Sequence, residues 1–367
     1  MYKKTHQEPV QQNNKLLGLE VVRFITALSV LFWHYQHFFY IAYKPTDFIK
    51  EQQPLYSLFS LFYDYGNYGV QVFWCISGFI FFWKYREAIA SKAITYKEFF
   101  VLRFSRLYPL HLFTLLLVLA LQAIYFSQKD YFFVYQDNDV LHFIYQLFFA
   151  SNWGFEKGLT FNGPIWSISV EVLIYCFFFF ILYSISKSFL INIAILLMCL
   201  AAKYFKVSSP ILTCLALFYI GGFAAIAYKY IQTIKYQKQI LYSFICALLA
   251  SPILIYLTSI YQHKDFPKLF LISYTPILLF VCAQNFNVSP VIQKTIEAAG
   301  NMTYSSYLIH FPLQLAITLC FLNTDQKMPY YSTVFFIGFI CLTLVISYYI
   351  YRLFELPAQN HIRSKLA

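Results

Sequence analysis

The chain has 367 residues, of which 60% are hydrophobic, 22% aromatic and only 12% charged. Soluble domains carry about 25% charged residues, so this composition argues against a soluble protein. The formal net charge of +11 does not call for a nucleic-acid partner. Basic residues that flank membrane spans on the anionic cytoplasmic leaflet account for it.

Ten stretches are predicted to cross a membrane as helices. Eight of them contain no Asp, Glu, Lys or Arg and are long enough for the roughly 20 residues that a hydrocarbon core requires. The other two contain Glu171 or are short and followed by a lysine that can reach the membrane surface. In chain order the ten are residues 24–43, 65–83, 107–128, 165–186, 188–202, 207–228, 239–263, 269–293, 298–324 and 328–351. The predicted fold is an all-α, polytopic integral membrane protein.

The charge distribution predicts the orientation of these spans. With the N-terminus inside, the inner segments hold every arginine and two thirds of the 27 basic residues. This bias fits the positive-inside rule and predicts that both termini are cytoplasmic. Residues 140–155 are apolar but contain His142 and Asn152, and a crossing there would disturb the bias. That stretch is therefore predicted to be interfacial or re-entrant.

The predicted organisation is a cytoplasmic tail at residues 1–15, one membrane domain at 16–356 and a second cytoplasmic tail at 357–367. The first helix has no small-residue cleavage site and is expected to be retained. The eight cysteines lie in apolar stretches without paired spacing, which favours small core residues over disulfides or a metal site. No loop could hold a soluble catalytic domain, so any chemistry must use the helices and their short connections.

Ionisable side chains within membrane spans are candidates for function, because burying them is costly. Arg23 and His34 are eleven positions apart, which places them about 20° from alignment and about 16 Å apart along a helix. One face therefore carries a cation near the cytoplasmic boundary and a deeper acid–base group. A packing histidine is the alternative for His34. A metal site with His37 lacks an acidic or cysteine partner, so no metal is expected.

Arg103 and Arg106 lie one turn apart at the predicted cytoplasmic start of the 107–128 span, where both can face one anion. Guanidinium groups suit phosphates, and coenzyme A carries a diphosphate and a further phosphate. Ordinary positive-inside flanking is the alternative.

Glu171 is the acid deep in the 165–186 span, and Tyr175 follows one turn later. Two roles stay open for Glu171: a hydrogen bond that holds the tautomer of His34, or a structural pair with an arginine. His310 lies inside a later span and is expected to line the same cavity. Gly78, with Ser77 beside it, is predicted to permit close helix packing.

Taken in order, these segments resemble the membrane acyltransferase type 3 family, bacterial proteins that O-acylate lipopolysaccharide, capsule, peptidoglycan and related glycans. The resemblance covers nearly the whole chain, and its motifs are weak singly but strong as an ordered set. They are Glu20 with Arg23 and His34, Ser-Gly-Phe at 77–79, Arg-x-x-Arg-x-Tyr-Pro at 103–109, Trp-Ser-x-Ser-Val-Glu with a later Tyr at 166–175, Tyr-x-x-His-x-Pro at 307–312 and Glu-x-Pro at 355–357.

The resemblance implies an acyltransferase of the bacterial inner membrane. It would move an acetyl group from cytoplasmic acetyl-CoA to a hydroxyl of an O-antigen, capsule or exopolysaccharide, as a free or lipid-linked glycan. The resemblance also implies roles for single residues. The expected catalytic residues are His34 and Glu171, and the expected donor-binding residues are Arg23, Arg103 and Arg106. The expected supporting residues are Glu20, Ser77, Tyr175 and His310.

Further expectations concern partners and alternatives. Membrane lipids are expected partners, nucleic acid is not, and homo-oligomerisation or a glycan-synthesis partner stays open. Some relatives carry a soluble esterase-like domain, which this chain is expected to lack. A secondary transporter or flippase is the alternative function, although no internal repeat of the kind common in transporters is found. A non-enzymatic membrane scaffold is the third reading.

Overall fold

The structure is a computed structural model that describes residues 15–322, 324 and 327–366. These residues are mostly helical, which confirms the all-α prediction. The helices are α1 (Leu17–His34), α2 (Tyr56–Tyr65), α3 (Gly69–Lys84), α4 (Arg86–Ala90), α5 (Tyr96–Lys129), α6 (Val140–Leu147), α7 (Trp166–Phe180), α8 (Phe189–Tyr204), α9 (Pro210–Ile231), α10 (Gln237–Thr258), α11 (Phe266–Cys282), α12 (Pro290–Asn301), α13 (Thr303–Leu322), α14 (Thr333–Ile350) and α15 (Leu356–Leu366). A short antiparallel pair, β1 (Tyr40–Ile41) and β2 (Lys44–Pro45), follows α1.

Seven helical segments of the described chain are long and apolar enough to cross a membrane. They are Leu17–Phe39, Tyr96–Lys129, Gly163–Ile185, Pro210–Ile231, Gln237–Thr258, Thr303–Leu322 and Thr333–Leu366. The remaining three predicted spans correspond to the shorter helices α3, α8 and α11, of 16, 16 and 17 residues. The chain is thus an integral membrane protein, while the total of ten crossings and the cytoplasmic termini stay predictions.

The outer surface of the helix bundle is apolar. No residue of α10 is buried, and its Leu249, Ile253 and Leu257 are 71%, 62% and 71% exposed. Lipid tails rather than water suit such an apolar surface. The backbone can also face lipid, because the N–H and C=O groups of a helix are bonded to each other.

Residues 140–155 do not form a membrane-crossing helix. Their only helix within the described chain is α6, of eight residues, which is about 12 Å long and far too short to span a bilayer. His142 in α6 is held by Asp139, whose Oδ1 lies 2.7 Å from Nδ1, and by the backbone N–H of Lys157, 3.2 Å from Nε2. This segment is therefore a short helix held by hydrogen bonds to the residues on either side of it.

Two glycines let α3 and α9 cross at backbone contact. A Cβ atom on Gly78 would lie 1.8 Å from the carbonyl oxygen of Phe218, and one on Gly221 would lie 1.9 Å from that of Cys75. Any larger side chain at either position would push the helices apart. The close packing predicted at Ser77–Gly78 is confirmed, and it holds Ser77 beside α7.

Helix α13 continues through a proline because a side chain replaces the missing backbone bond. Pro312 has no N–H to donate to the carbonyl of Leu308 one turn earlier. The amide Nδ2 of Asn162 donates to that carbonyl at 3.0 Å instead. The polar face of α13 therefore stays continuous from Thr303 to Gln314.

The predicted C-terminal tail at 357–367 contains most of α15, which packs along the start of α5. In the predicted N-terminal tail, residues 1–14 lie outside the described part of the chain, as does residue 367. Helix α5 itself begins at a capping box, in which Thr95 and Glu98 bond each other's backbone N–H groups. This start places Arg103 and Arg106 within about the first three turns of α5.

Candidate active site

A cavity of about 440 Å³ lies between α1, α3, α5, α7 and α13. Its wall carries many more basic than acidic side chains, and we call it the basic cavity. The charged residues of its wall are Lys15, Arg23, Lys84, Arg103, Arg106 and Arg363, with Glu20 and Glu171. A concave surface with this excess of positive charge attracts anions.

Arg23 is fixed in the cavity wall by two partners. Its Nη1 donates to Glu20 Oε2 at 2.8 Å, and its Nη2 donates to Thr303 Oγ1 at 3.1 Å. The Glu20 side chain lies against Gly300, where a Cβ atom would come within 1.9 Å of Oε2. Arg23 thus links the first turns of α1 and α13.

Arg103 and Arg106 both line the basic cavity, as their spacing predicted. The guanidinium of Arg103 donates to the hydroxyl of Tyr85 and lies 4.8 Å and 4.9 Å from the ring centroids of Phe81 and Tyr85. Arginine stacks well on aromatic faces, which holds the group in place without neutralising it. Arg106 makes no hydrogen bond to another described residue. Its donors are available to an anion in the cavity.

Glu171 faces the basic cavity and bonds within its own helix. Its Oε1 accepts the hydroxyl of Tyr175, one turn later, at 2.5 Å, and Ser77 lies beside it in the wall. Of the two roles left open by the sequence, the hydrogen bond to His34 is not formed. The reason is geometric: Glu171 lines the cavity, and His34 does not.

The inner wall of the basic cavity is closed by Tyr307 of α13 and Ser167 of α7. The Tyr307 hydroxyl donates to the carbonyl of Pro164 at 2.7 Å and accepts from Ser167 Oγ at 2.8 Å. The Tyr307 ring is 6.0 Å from the ring of His310. Tyr307 therefore both lines the cavity and neighbours His310.

Three histidines form a buried cluster behind Tyr307. The rings of His34 and His310 are stacked at 4.7 Å, and those of His34 and His37 are 4.9 Å apart. His34 Nδ1 and His310 Nε2 are buried and have no hydrogen-bond partner among the described residues. A neutral imidazole with a free nitrogen can accept a proton or act as a nucleophile.

Gln314 braces this cluster from α13. Its Nε2 donates to the backbone carbonyl of His34 at 2.9 Å, and its Oε1 accepts from His37 Nδ1 at 3.3 Å. The sequence reasoning missed Gln314, although a helical signal was present. Thr303, Tyr307, His310 and Gln314 recur every three or four residues along an otherwise apolar helix, which marks one polar face.

One sequence expectation is corrected by the geometry. His310 was expected to line the cavity, but the residue of this face of α13 that does so is Tyr307, one turn earlier and 6.0 Å from the His310 ring. His111, a further buried histidine in α5, is a packing residue. Its Nε2 lies 2.7 Å from the carbonyl of Gln146, and its ring stacks on Phe149 at 4.4 Å.

Three cations of the cavity wall, Lys15, Lys84 and Arg363, were not predicted from the sequence as site residues. Lys15 donates to Asn301 Oδ1 at 2.7 Å, and Arg363 reaches the wall from α15. Both read in the sequence as ordinary basic flanks, and only the docking of α12 and α15 brings them inward. Within the described residues, no group of three His, Cys, Asp or Glu side chains is arranged to hold a metal ion.

A bundle of apolar helices that encloses a basic cavity beside buried imidazoles is a candidate active site of an integral membrane enzyme. A family model described as an acyltransferase domain matches residues 16–352. The chain belongs to the membrane acyltransferase type 3 family, which confirms the resemblance seen in the motifs. No curated protein and no solved structure matches the chain. The transporter alternative is not favoured by this match.

Proposed function

We propose that the protein transfers an acetyl group from cytoplasmic acyl-CoA to a hydroxyl of a cell-surface glycan, in the inner membrane of a bacterium. The acceptor we propose is an O-antigen, a capsule or an exopolysaccharide. One observation carries the proposal: the basic cavity ends a single side chain, Tyr307, short of the stacked His34–His310 pair. In this proposal an anionic donor in the basic cavity lies next to a histidine base.

The charges of the cavity support an acyl-CoA donor. Among the described residues Arg106 has no hydrogen-bond partner and Arg103 is held by aromatic rings, so both can bind a diphosphate without first breaking an ion pair. Arg23, by contrast, is already paired with Glu20 at 2.8 Å. In a cavity that excludes water such charge contacts are stronger than at a surface. The phosphates would remain at the arginines while the thioester reaches the inner wall.

The proposed reaction begins when the Tyr307 side chain turns aside and joins the two compartments. His34 accepts the proton of the acceptor hydroxyl, and the hydroxyl oxygen forms a bond to the thioester carbonyl carbon. The carbon–sulfur bond breaks, and the coenzyme A thiolate leaves and takes the proton from the imidazolium. In a second version, His34 attacks the thioester first and passes the acyl group on. Gln314 and His310 hold His34 in position in both versions.

The first test is the spectrum of the host's surface polysaccharides. A deletion strain is complemented with the wild-type protein, His34→Ala or His263→Ala, and alkali-labile acyl groups are measured by NMR before and after mild base. We expect the acyl signals with the wild type and with His263→Ala, which alters an exposed histidine. His34→Ala should reach the membrane, shown by immunoblot, without restoring the signals. Normal acylation by His34→Ala would disprove its catalytic role.

The donor is tested with purified protein in lipid nanodiscs. Free coenzyme A should be released from acetyl-CoA when the host's polysaccharide is added, and the polysaccharide should gain one acetyl group for each coenzyme A. A transporter or flippase would release none. Absence of release with every polysaccharide of the host would reject glycan acylation as the function.

A further inference from the structure

Helix α15 brings a third arginine to the Arg-x-x-Arg segment of α5. Arg363 is half-buried in the cavity wall. Its Nε donates to Ser105 Oγ at 3.1 Å, and its Nη2 donates to the carbonyl of Leu102 at 3.3 Å. Ser105 stands between Arg103 and Arg106 in the sequence, so these bonds hold the guanidinium of Arg363 over that segment.

The arrangement brings like charges together, because the positive charges of Arg103 and Arg106 lie near that of Arg363 and repel it. No acidic partner of Arg363 is found among the described residues, since its two bonds go to a hydroxyl and a carbonyl. Three cations facing one cavity repel each other, and this cost is offset when an anion binds between them. A role in helix packing alone would need no charge at this position.

Gln359 lies one turn before Arg363 on the same face of α15 and also lines the cavity. It is 7% exposed, so it is packed against the wall rather than directed to solvent. Two polar side chains four residues apart thus turn one face of α15 toward the donor site. Both residues lie beyond residue 352, where the family match ends.

We propose that Arg363 binds the 3′-phosphate of coenzyme A and that α15 covers the nucleotide end of the donor. The inference rests on the proposed donor and adds to it a phosphate-specific residue. Its position carries the assignment: Arg363 reaches the wall from α15 and is tethered at Leu102 and Ser105, beside Arg103 and nearer the start of α5 than Arg106. The 3′-phosphate is on the adenosine, at the end of coenzyme A opposite the thioester, and the diphosphate lies between them.

The test compares the dissociation constants of coenzyme A and dephospho-coenzyme A, which lacks only the 3′-phosphate. They are measured by calorimetry on the full chain in phosphatidylcholine nanodiscs, for wild type, Arg363→Gln and Arg352→Gln. Arg352 is a matched control, because it is exposed and bonds Tyr348 at 2.8 Å outside the cavity. We expect wild type and Arg352→Gln to prefer coenzyme A by about tenfold or more, the usual strength of a hydrogen bond to a charged group. Arg363→Gln should lose that preference and bind dephospho-coenzyme A as the wild type does.

Each other outcome has a distinct meaning. Equal weakening of both ligands by Arg363→Gln would show a packing role and overturn the inference, while the proposed function stands. An unchanged preference in Arg363→Gln would overturn it as well. Wild type that binds neither ligand would reject the acyl-CoA donor itself. Phosphatidylglycerol nanodiscs that abolish the preference in wild type would assign Arg363 to a lipid headgroup and overturn the inference.

If Arg363→Gln fails to fold, Ser105→Ala gives a second measurement. It removes the hydroxyl that accepts Arg363 Nε and leaves the guanidinium in the chain. We expect the preference for coenzyme A to fall by about threefold, as for one neutral hydrogen bond that positions a group. A preference equal to that of wild type would contradict the tether.

Discussion

The Tyr307 wall between the basic cavity and the histidines is open to a quantitative test through Tyr307→Phe. The variant keeps the ring and removes both hydroxyl bonds, at 2.7 Å to the Pro164 carbonyl and 2.8 Å to Ser167. Each bond contributes about 1 kcal/mol net, so the closed position loses about 2 kcal/mol. This difference raises the population of the open position about thirtyfold. Ser167 Oγ is 3.4 Å from the same carbonyl, so a hydrogen bond from Ser167 can recover part of the lost stabilisation.

The assay uses the protein in nanodiscs with acetyl-CoA and no acceptor. A thiol reagent measures the coenzyme A that is released. We expect Tyr307→Phe to raise this futile hydrolysis by about tenfold to thirtyfold, because water meets the thioester next to His34. Adding His34→Ala should remove the gain. Tyr63→Phe is the control, since it deletes a buried hydroxyl bond to Pro54 of 3.0 Å outside the cavity wall. The role of Tyr307 as a wall would be refuted if Tyr307→Phe hydrolysed acetyl-CoA at the wild-type rate. It would also be refuted if the faster hydrolysis persisted after His34→Ala was added.

Three further predictions follow from the cavity and the core. Arg103→Ala should raise the dissociation constant of coenzyme A about tenfold or more in calorimetry, and an unchanged constant would remove Arg103 from the donor site. Glu171→Gln can keep its bond to Tyr175, so we expect coenzyme A binding to persist while acyl transfer falls at least about tenfold; full transfer would show that Glu171 is structural. Gly78→Ala should lower the unfolding temperature sharply, because its Cβ would lie 1.8 Å from a backbone oxygen. Gly338→Ala, with nothing within 4 Å, should not.

Helical periodicity was enough to predict one face of α1. Arg23 and His34 were expected to align, and both do contact α13, through Thr303 and His310. The prediction succeeded because it concerned one helix, where 3.6 residues per turn decide which side chains share a face. The close α3–α9 crossing at Gly78 was predictable for a similar local reason.

Relations between helices were less accessible. The expected bond between Glu171 and His34 depends on how α7 is rotated relative to α1, and no local pattern encodes that rotation. The structure places Tyr307 between the cavity that Glu171 faces and the histidines. The position of Arg363 in the cavity wall was hidden for another reason. A basic residue after the last span satisfies the positive-inside rule whether or not its helix folds back onto the cavity.

The distance between the two compartments restricts the donor. Arg23 and His34 are on one face of α1, about 16 Å apart along its axis, with Thr303 and His310 facing them from α13 in the same order. A donor whose phosphates stay at the arginines must therefore carry its acyl carbon on an extended arm to reach His34. Coenzyme A has such an arm between its diphosphate and its sulfur. Acetyl phosphate, in which the acyl carbon is bonded directly to the phosphate oxygen, cannot occupy both ends. The geometry thus predicts that acetyl phosphate binds weakly in the basic cavity and transfers nothing, and acylation driven by acetyl phosphate alone would show that the cavity is not the donor site.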